Sequence, residues 1–316
     1  MSRARIWTAA LLIIVAWAAA VALAGDDAED QGEPRAGRPS PVAVTPDGGT
    51  APVVRQNPLA VSIPAGGPPL DLELRRPPRA GLLFDVGTGE VLWALHPRRT
   101  APIASLTKMM TALLIAERHK ARERVLITAQ ATGYSGSGIG LLPEGRRVPL
   151  GPLLYGLMLV SGNDAAIALA QHDAGGQGAF VVRMNARARR LGLECSRFSS
   201  PSGILDRGNW SCPLDLATLA RLDLAKTWIR RIVATRRARF RFPVRGGVLD
   251  LFNINPFISR GDKAVTGVKT GLTSAAGRCY VITARIGGRH LGVVLLDSPD
   301  PLNQVPRLLQ AGARLG

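Results

Sequence analysis

Residues 104–110 read Ala104-Ser105-Leu106-Thr107-Lys108-Met109-Met110. A serine and a lysine stand three positions apart at the head of an apolar run. Leu106, Met109, Met110, Leu113, Leu114 and Ala116 are spaced for one face of a helix reaching about His119. Positions i and i+3 share a helix face, so Ser105 and Lys108 can turn their heads into one site. A serine hydroxyl is a poor nucleophile until a base takes its proton. A lysine becomes that base when burial or a nearby cation lowers its pKa. Alone, the pair fits a helix cap and a solvated lysine equally well, so the rest of the chain has to decide.

Upstream of this helix, apolar stretches 81–86 and 90–95 flank Gly87-Thr88-Gly89, the pattern of a β-hairpin. Downstream, helices are expected at about 152–160, 164–171, 177–191 and 213–227, and strands at 125–128, 240–242, 248–252 and 265–270. Residues 278–286 and 290–297 flank Gly287-Gly288 as a long hairpin, and 305–315 reads as a closing helix. Strands at both ends and helices between them predict an α/β domain. Its mainly antiparallel sheet is flanked by helices and carries an inserted helical lobe.

Arg3 and Arg5 precede an apolar run from Ile6 to Ala24, and Asp26, Asp27, Glu29 and Asp30 follow it. This order directs the remainder of the chain out of the cytoplasm. Ala22-Leu23-Ala24 suits cleavage, while the length of the run also suits a retained membrane anchor. Residues 1–24 are therefore read as signal peptide or anchor and 25–78, rich in Pro, Gly, Asp and Arg, as a disordered tether. Residues 79–316 are read as the catalytic domain.

The formal net charge of +17 rests almost wholly on arginine, with lysine only at 108, 120, 226, 263 and 269. Such a skew reads as compositional bias and predicts no nucleic-acid partner. Residues 230–245 hold seven arginines, a solvated basic face or a surface for an anionic wall polymer. Export permits a disulfide, and Cys195 and Cys212 could close a small loop, although spacing alone leaves their pairing open; Cys279 reads as a buried thiol. The histidines are scattered and no metal site is expected. The glycine-rich 136–140 segment does not join a strand to a helix, which removes a dinucleotide reading, and no cofactor is expected.

Ser161-Gly162-Asn163 breaks two apolar helices, and Lys269-Thr270-Gly271 ends a predicted strand. With Ser105-x-x-Lys108 they form the ordered set S-x-x-K, S-G-N, K-T-G. The chain from about 79 to 316 resembles the low-molecular-mass penicillin-binding proteins, the serine D-alanyl-D-alanine carboxypeptidases. The likeness extends to 157–166 (LMLVSGNDAA), 184–193 (MNARARRLGL), 200–203, Asn253 to Pro256 and 267–277 (GVKTGLTSAAG).

The resemblance implies an acyl-enzyme mechanism on peptidoglycan stem peptides, with β-lactams as covalent inhibitors. Ser105 would be the nucleophile and Lys108 its base, held neutral by a cationic Lys269. Ser161 would relay the proton, and Asn163 would hold the substrate amide and the Lys108 head. Lys269 and Thr270 would receive the terminal carboxylate. The backbone N–H groups of Ser105 and Leu272 would form the oxyanion hole, with Gly271 leaving room for substrate along the strand edge. The family often carries an arginine before the closing helix. Here that region is Asp297-Ser298-Pro299-Asp300-Pro301, which leaves Thr270, Lys269 or another arginine such as Arg278 for the carboxylate. A D,D-endopeptidase with the same site and a non-catalytic envelope-binding module are the alternatives. No glutamate is placed as a class A β-lactamase would need.

Overall fold

The hairpin around Gly87-Thr88-Gly89 forms one corner of a five-stranded sheet. The computed structural model describes residues 57–204 and 208–315, all within one compact unit, Val53–Gly316. In β1 (Ala80–Asp85) and β2 (Val91–Leu95) the strands pair antiparallel, and Asp85 Oδ1 accepts from the amides of Gly87 and Thr88 to close the turn. β3 (Ala101–Pro102) delivers the chain to a 3-10 turn, Ala104–Thr107, which runs into α1 (Lys108–Arg118).

The helical lobe follows: β4 (Arg124–Leu126), α2 (Ala129–Thr132), β5 (Arg147–Pro149), α3 (Leu150–Leu159), α4 (Asn163–Ala174) and α5 (Gln177–Leu191). Both α4 and α5 stop at left-handed glycines, Gly175 and Gly192, a conformation that costs glycine least. β6 (Trp210–Ser211) leads to α6 (Pro213–Ala225), whose proline takes the first helical turn, where a missing N–H costs nothing. Then come α7 (Thr227–Val233), the β7 (Arg237–Arg241) and β8 (Val248–Phe252) hairpin, and α8 (Pro256–Ser259). The chain closes with β9 (Val265–Thr273), β10 (Gly277–Ile286), β11 (Arg289–Leu296) and α9 (Pro301–Ala313).

The sheet order is β2-β1-β11-β10-β9, every pair antiparallel, so strands from both ends of the chain meet between β1 and β11. Successive side chains alternate between two cores. Leu82, Phe84, Val281, Val294 and Leu296 face the helical lobe, where Leu106, Met109 and Leu113 of the first helix segment meet them. Leu83, Ile282, Val293 and Leu295 face α8 and α9. The fold is thus an α/β sandwich with an inserted helical lobe, as the pattern of elements predicts.

Three expectations change. Residues 57–78 do not behave as a free tether: Asn57 Nδ2 donates to Leu191 O, the Arg221 guanidinium to Ala60 O, and Trp93 Nε1 to Leu72 O. Leu74 is buried in the second core. Their prolines and glycines deny these residues a regular element, yet their backbone is bound to the domain. Second, the helix expected through Ser105 begins as a tighter 3-10 turn. Third, Lys269-Thr270-Gly271 lies inside β9, which continues to Thr273 against β10. The expected leader and the first part of the tether, up to residue 56, lie outside the described residues. Among the described residues no helix is long and apolar enough to cross a membrane.

Candidate active site

Four segments converge on Lys108. Its side chain is fully buried, and Nζ lies 2.7 Å from Asn163 Oδ1, 2.6 Å from Ser202 O and 3.0 Å from Ser105 Oγ. Asn163 and Ser202 O offer only lone pairs here, so they take two N–H donors. A neutral amine then has one lone pair left, and it faces the Ser105 hydroxyl. Burial first, then the charge of Lys269, holds the Lys108 pKa well below its usual value, against a smaller opposing pull from Asp164. Both of the causes named from the sequence act, and desolvation outranks Lys269. Lys269 is itself buried and is pushed down to about 7 by desolvation, with Nζ donating to Thr270 O at 2.8 Å.

Ser161 has a left-handed backbone (φ 59°), an uncommon and strained state for a serine, and its buried Oγ has no protein partner. Asn163 is occupied at both ends of its amide. Oδ1 accepts from Lys108 and Nδ2 donates to Ser135 O at 2.7 Å, while its backbone N–H donates to Ser137 O. It fixes the lysine and the 135–140 loop. Asp164 ties down the same loop by accepting from the amides of Ile139 and Gly140.

Gly271 has a packing reason beside the room for substrate that its sequence suggests. A Cβ there would lie 3.0 Å from the Ser105 amide N and 3.1 Å from Ala104 Cβ. The missing side chain lets β9 press against the 3-10 turn, which sets the Ser105 amide beside the strand that carries Leu272. Gly203 (φ +76°) serves the opposite wall, where a Cβ would meet Ala104 O at 2.0 Å. This close approach seats Ser202 O over Lys108.

These groups open on a cleft of about 320 Å³ lined by Ser105, Ser137, Ser161, Ile254, Thr270, Gly271, Leu272, Arg278 and Tyr280. A cavity of about 380 Å³ beside Leu74 and Arg307 is slightly larger, but it holds no nucleophile and base in contact, so chemistry rather than volume selects the cleft. Thr270 pairs with Tyr280, and Leu272 with Arg278, across β9 and β10. Paired residues share a sheet face, which puts Arg278 on the cleft side with Thr270. Ser137, Ile254 and Tyr280 were not singled out from sequence. The Asn253-to-Pro256 turn is what presents Ile254: Asn253 Oδ1 accepts from Asn255 N, and Ile254 N donates to Leu159 O.

Residues 77–300 match the family described as D-alanyl-D-alanine carboxypeptidase, peptidase S11. The chain belongs to this family. It is 31% identical over 234 residues to D-alanyl-D-alanine carboxypeptidase DacF of Bacillus subtilis, covering 72% of this chain but 59% of that protein. It is 32% identical over 240 residues to a D-alanyl-D-alanine endopeptidase of Pseudomonas aeruginosa, covering 74% of this chain and 75% of the other. Among solved structures, a D-alanyl-D-alanine carboxypeptidase from Mycobacterium tuberculosis superposes with a TM-score of 0.72 at 30% identity, over 81% of this chain and 97% of that one.

Away from the cleft, Cys195 and Cys212 form a disulfide with Cα atoms 5.6 Å apart. Cys279 is buried with Sγ toward Ala276 O. The arginine run divides between α7 and the β7–β8 hairpin, where Arg237 pairs with Asp250 and stacks on Phe252.

Proposed function

We propose that this protein is an exported serine peptidase that removes the terminal D-alanine from peptidoglycan stem peptides. The observation that carries the reading is the 3.0 Å contact between Ser105 Oγ and a buried Lys108 Nζ whose other two partners are both acceptors. Ser105 attacks the carbonyl between the two D-alanines as its proton passes to Lys108. The C–N bond breaks, and the unpartnered Ser161 hydroxyl relays that proton to the leaving amine. Water, activated by the same lysine, cleaves the Ser105 ester and frees the shortened peptide.

The amides of Ser105 and Leu272 stabilise the oxyanion. Thr270 and Arg278, with Lys269 behind them, receive the terminal carboxylate, so the arginine of β10 does work the 297–301 segment cannot. A β-lactam offers a similar carboxylate and a strained amide, and acylates Ser105. Residues 1–24 export the chain and serve as a cleaved signal or as a membrane anchor. The domain they deliver acts on the envelope side of the membrane.

The endopeptidase reading has its own support. The endopeptidase relative is matched over 75% of its length, against 59% for DacF. D-Alanine release from a pentapeptide ending in D-Ala-D-Ala, compared with scission of a cross-linked dimer, separates the two. Pentapeptide turnover, with KM raised by Arg278→Ala, supports the carboxypeptidase. Scission of dimers alone supports the endopeptidase, and neither activity defeats both.

A further inference from the structure

Two of the scattered histidines come together at the far ends of the helices that build the catalytic cleft. His119 closes α1, and His172 lies in the last turn of α4. Between them stands Glu123, in the turn before β4. Glu123 Oε2 is 2.8 Å from His119 Nδ1 and 3.0 Å from His172 Nε2. All three donor atoms lie within 4.8 Å of one another. Their side chains are 15%, 20% and 34% exposed for His119, His172 and Glu123, so solutes reach them.

The second nitrogen of His119 supplies the decisive detail. His119 Nε2 is 2.9 Å from Oδ1 of Asp173, whose side chain is fully buried. Arg118 Nε and Arg183 Nη1 each donate to that carboxylate at 2.6 Å and hold it ionised. Asp173 accepts the Nε2 proton and fixes the ring, so an ion that took the place of the hydrogen bond from Nδ1 to Glu123 would meet an imidazole already oriented. A buried carboxylate on the distal nitrogen of a histidine is the arrangement that orients metal-bound imidazole. Glu123 is held too, since the Lys120 amide donates to Oε1 at 2.6 Å and leaves Oε2 for the histidines.

We propose that His119, Glu123 and His172 bind a divalent transition-metal ion of the zinc type. Two imidazoles and one carboxylate suit Zn²⁺, and water completes a tetrahedron. Ligand atoms in such a site stand about 3.3 Å apart, given metal–ligand bonds near 2.0–2.1 Å. Each histidine nitrogen needs to move only a few tenths of an ångström from Glu123 Oε2, and the two imidazoles settle to the same spacing within the 4.8 Å that now encloses all three atoms, which their partial exposure allows. The ion would join the end of α1, the 120–123 turn and the end of α4. Those helices begin with Lys108 and Asn163, so the metal clamps one end of the pair whose other end carries the candidate chemistry. Its role is structural, and it stands or falls independently of the peptidase assignment.

The test uses the tag-free full chain, stripped with a chelator and titrated with Zn²⁺ by calorimetry and with Co²⁺ by visible absorption. One ion should bind per chain, with a rise in Tm and a Co²⁺ spectrum bearing imidazole ligation. His172→Ala and Glu123→Gln should abolish saturable binding while keeping the far-UV spectrum and penicillin uptake of the wild type. Asp173→Asn should weaken binding about 10- to 100-fold while the metal ligands stay in place. Absence of saturable binding by wild type, or binding that survives His172→Ala unchanged, overturns the proposal.

Discussion

Lys108 Nζ donates to Asn163 Oδ1 at 2.7 Å, and this bond joins the first residue of α1 to the first residue of α4. The same asparagine holds the loop that carries Ser137 through Ser135 O. Replacing Asn163 with Ala removes one of the two acceptors that orient the amine and frees the loop. Penicillin acylation should fall by about 10²-fold or more, the range for a misplaced general base. The amide is buried and its loss also strips Ser135 O of a donor, so Tm should fall modestly while the protein still folds. Stopped-flow acylation and a thermal melt read the two effects separately.

The two buried lysines are linked through charge. Acylation requires neutral Lys108, so its rate should rise with pH through that depressed pKa. Lys269 is the second cause of the depression, after burial. Lys269→Ala removes a positive neighbour, lets the Lys108 pKa rise and moves the acid limb of the profile to higher pH. The overall rate should also fall by about 10²-fold as support for the substrate carboxylate is lost. An acid limb that stays in place would show that Lys108 does not titrate in the profile.

Gly271 tests how closely β9 sets the nucleophile. An alanine Cβ at 3.0 Å from Ser105 N and 3.2 Å from Ile103 O meets backbone on both contacts, which yields less readily than a side-chain end. Gly271→Ala should cost about 1–3 kcal/mol of stability. It should slow acylation by 10- to 100-fold, because the Ser105 amide and hydroxyl shift together. Unchanged acylation at normal stability would contradict the close-approach account.

Much of this architecture was open to sequence reasoning, and the misses share a cause. The 81–95 hairpin, the 177–191 helix and the Gly287-Gly288 hairpin follow from local periodicity and turn residues. The pairing of Ser105 with Lys108 follows from helical spacing. The packing of 57–78 could not be read, since a segment rich in proline and glycine carries no period even when its backbone is bound. The rank of burial over Lys269 depends on what covers Lys108, and Ser202 O comes from a segment 94 residues away. The His119–Glu123–His172 group unites residues 49 apart between Glu123 and His172, with only the four-residue step from His119 to Glu123 visible locally. The close packing of Gly271 against Ser105 could not be read locally, because that contact is tertiary.

Asp223 supplies a test of stability away from the cleft. It is fully buried in α6, and neither carboxylate oxygen has a protein partner. Burial first, then the nearby Glu117, raises its pKa well above 3.8. The folded state thus keeps this proton to a higher pH than the unfolded chain does. Stability should therefore fall as pH rises from the unfolded value of 3.8 toward the folded pKa. Asp223→Asn should flatten that slope and stabilise the protein at neutral pH. The expected gain is about 1.4 kcal/mol for each unit separating the two pKa values. Denaturant melts across pH, compared with wild type, measure the difference.

The most direct test of the account is the site of acylation. The full chain is incubated with benzylpenicillin, and the adduct is located by intact-mass and peptide mass spectrometry in wild type and in Ser105→Ala. The account predicts one adduct, on the peptide containing Ser105, and none in the variant. An adduct on another residue, or wild type that takes up no penicillin and releases no D-alanine from the pentapeptide, would contradict it.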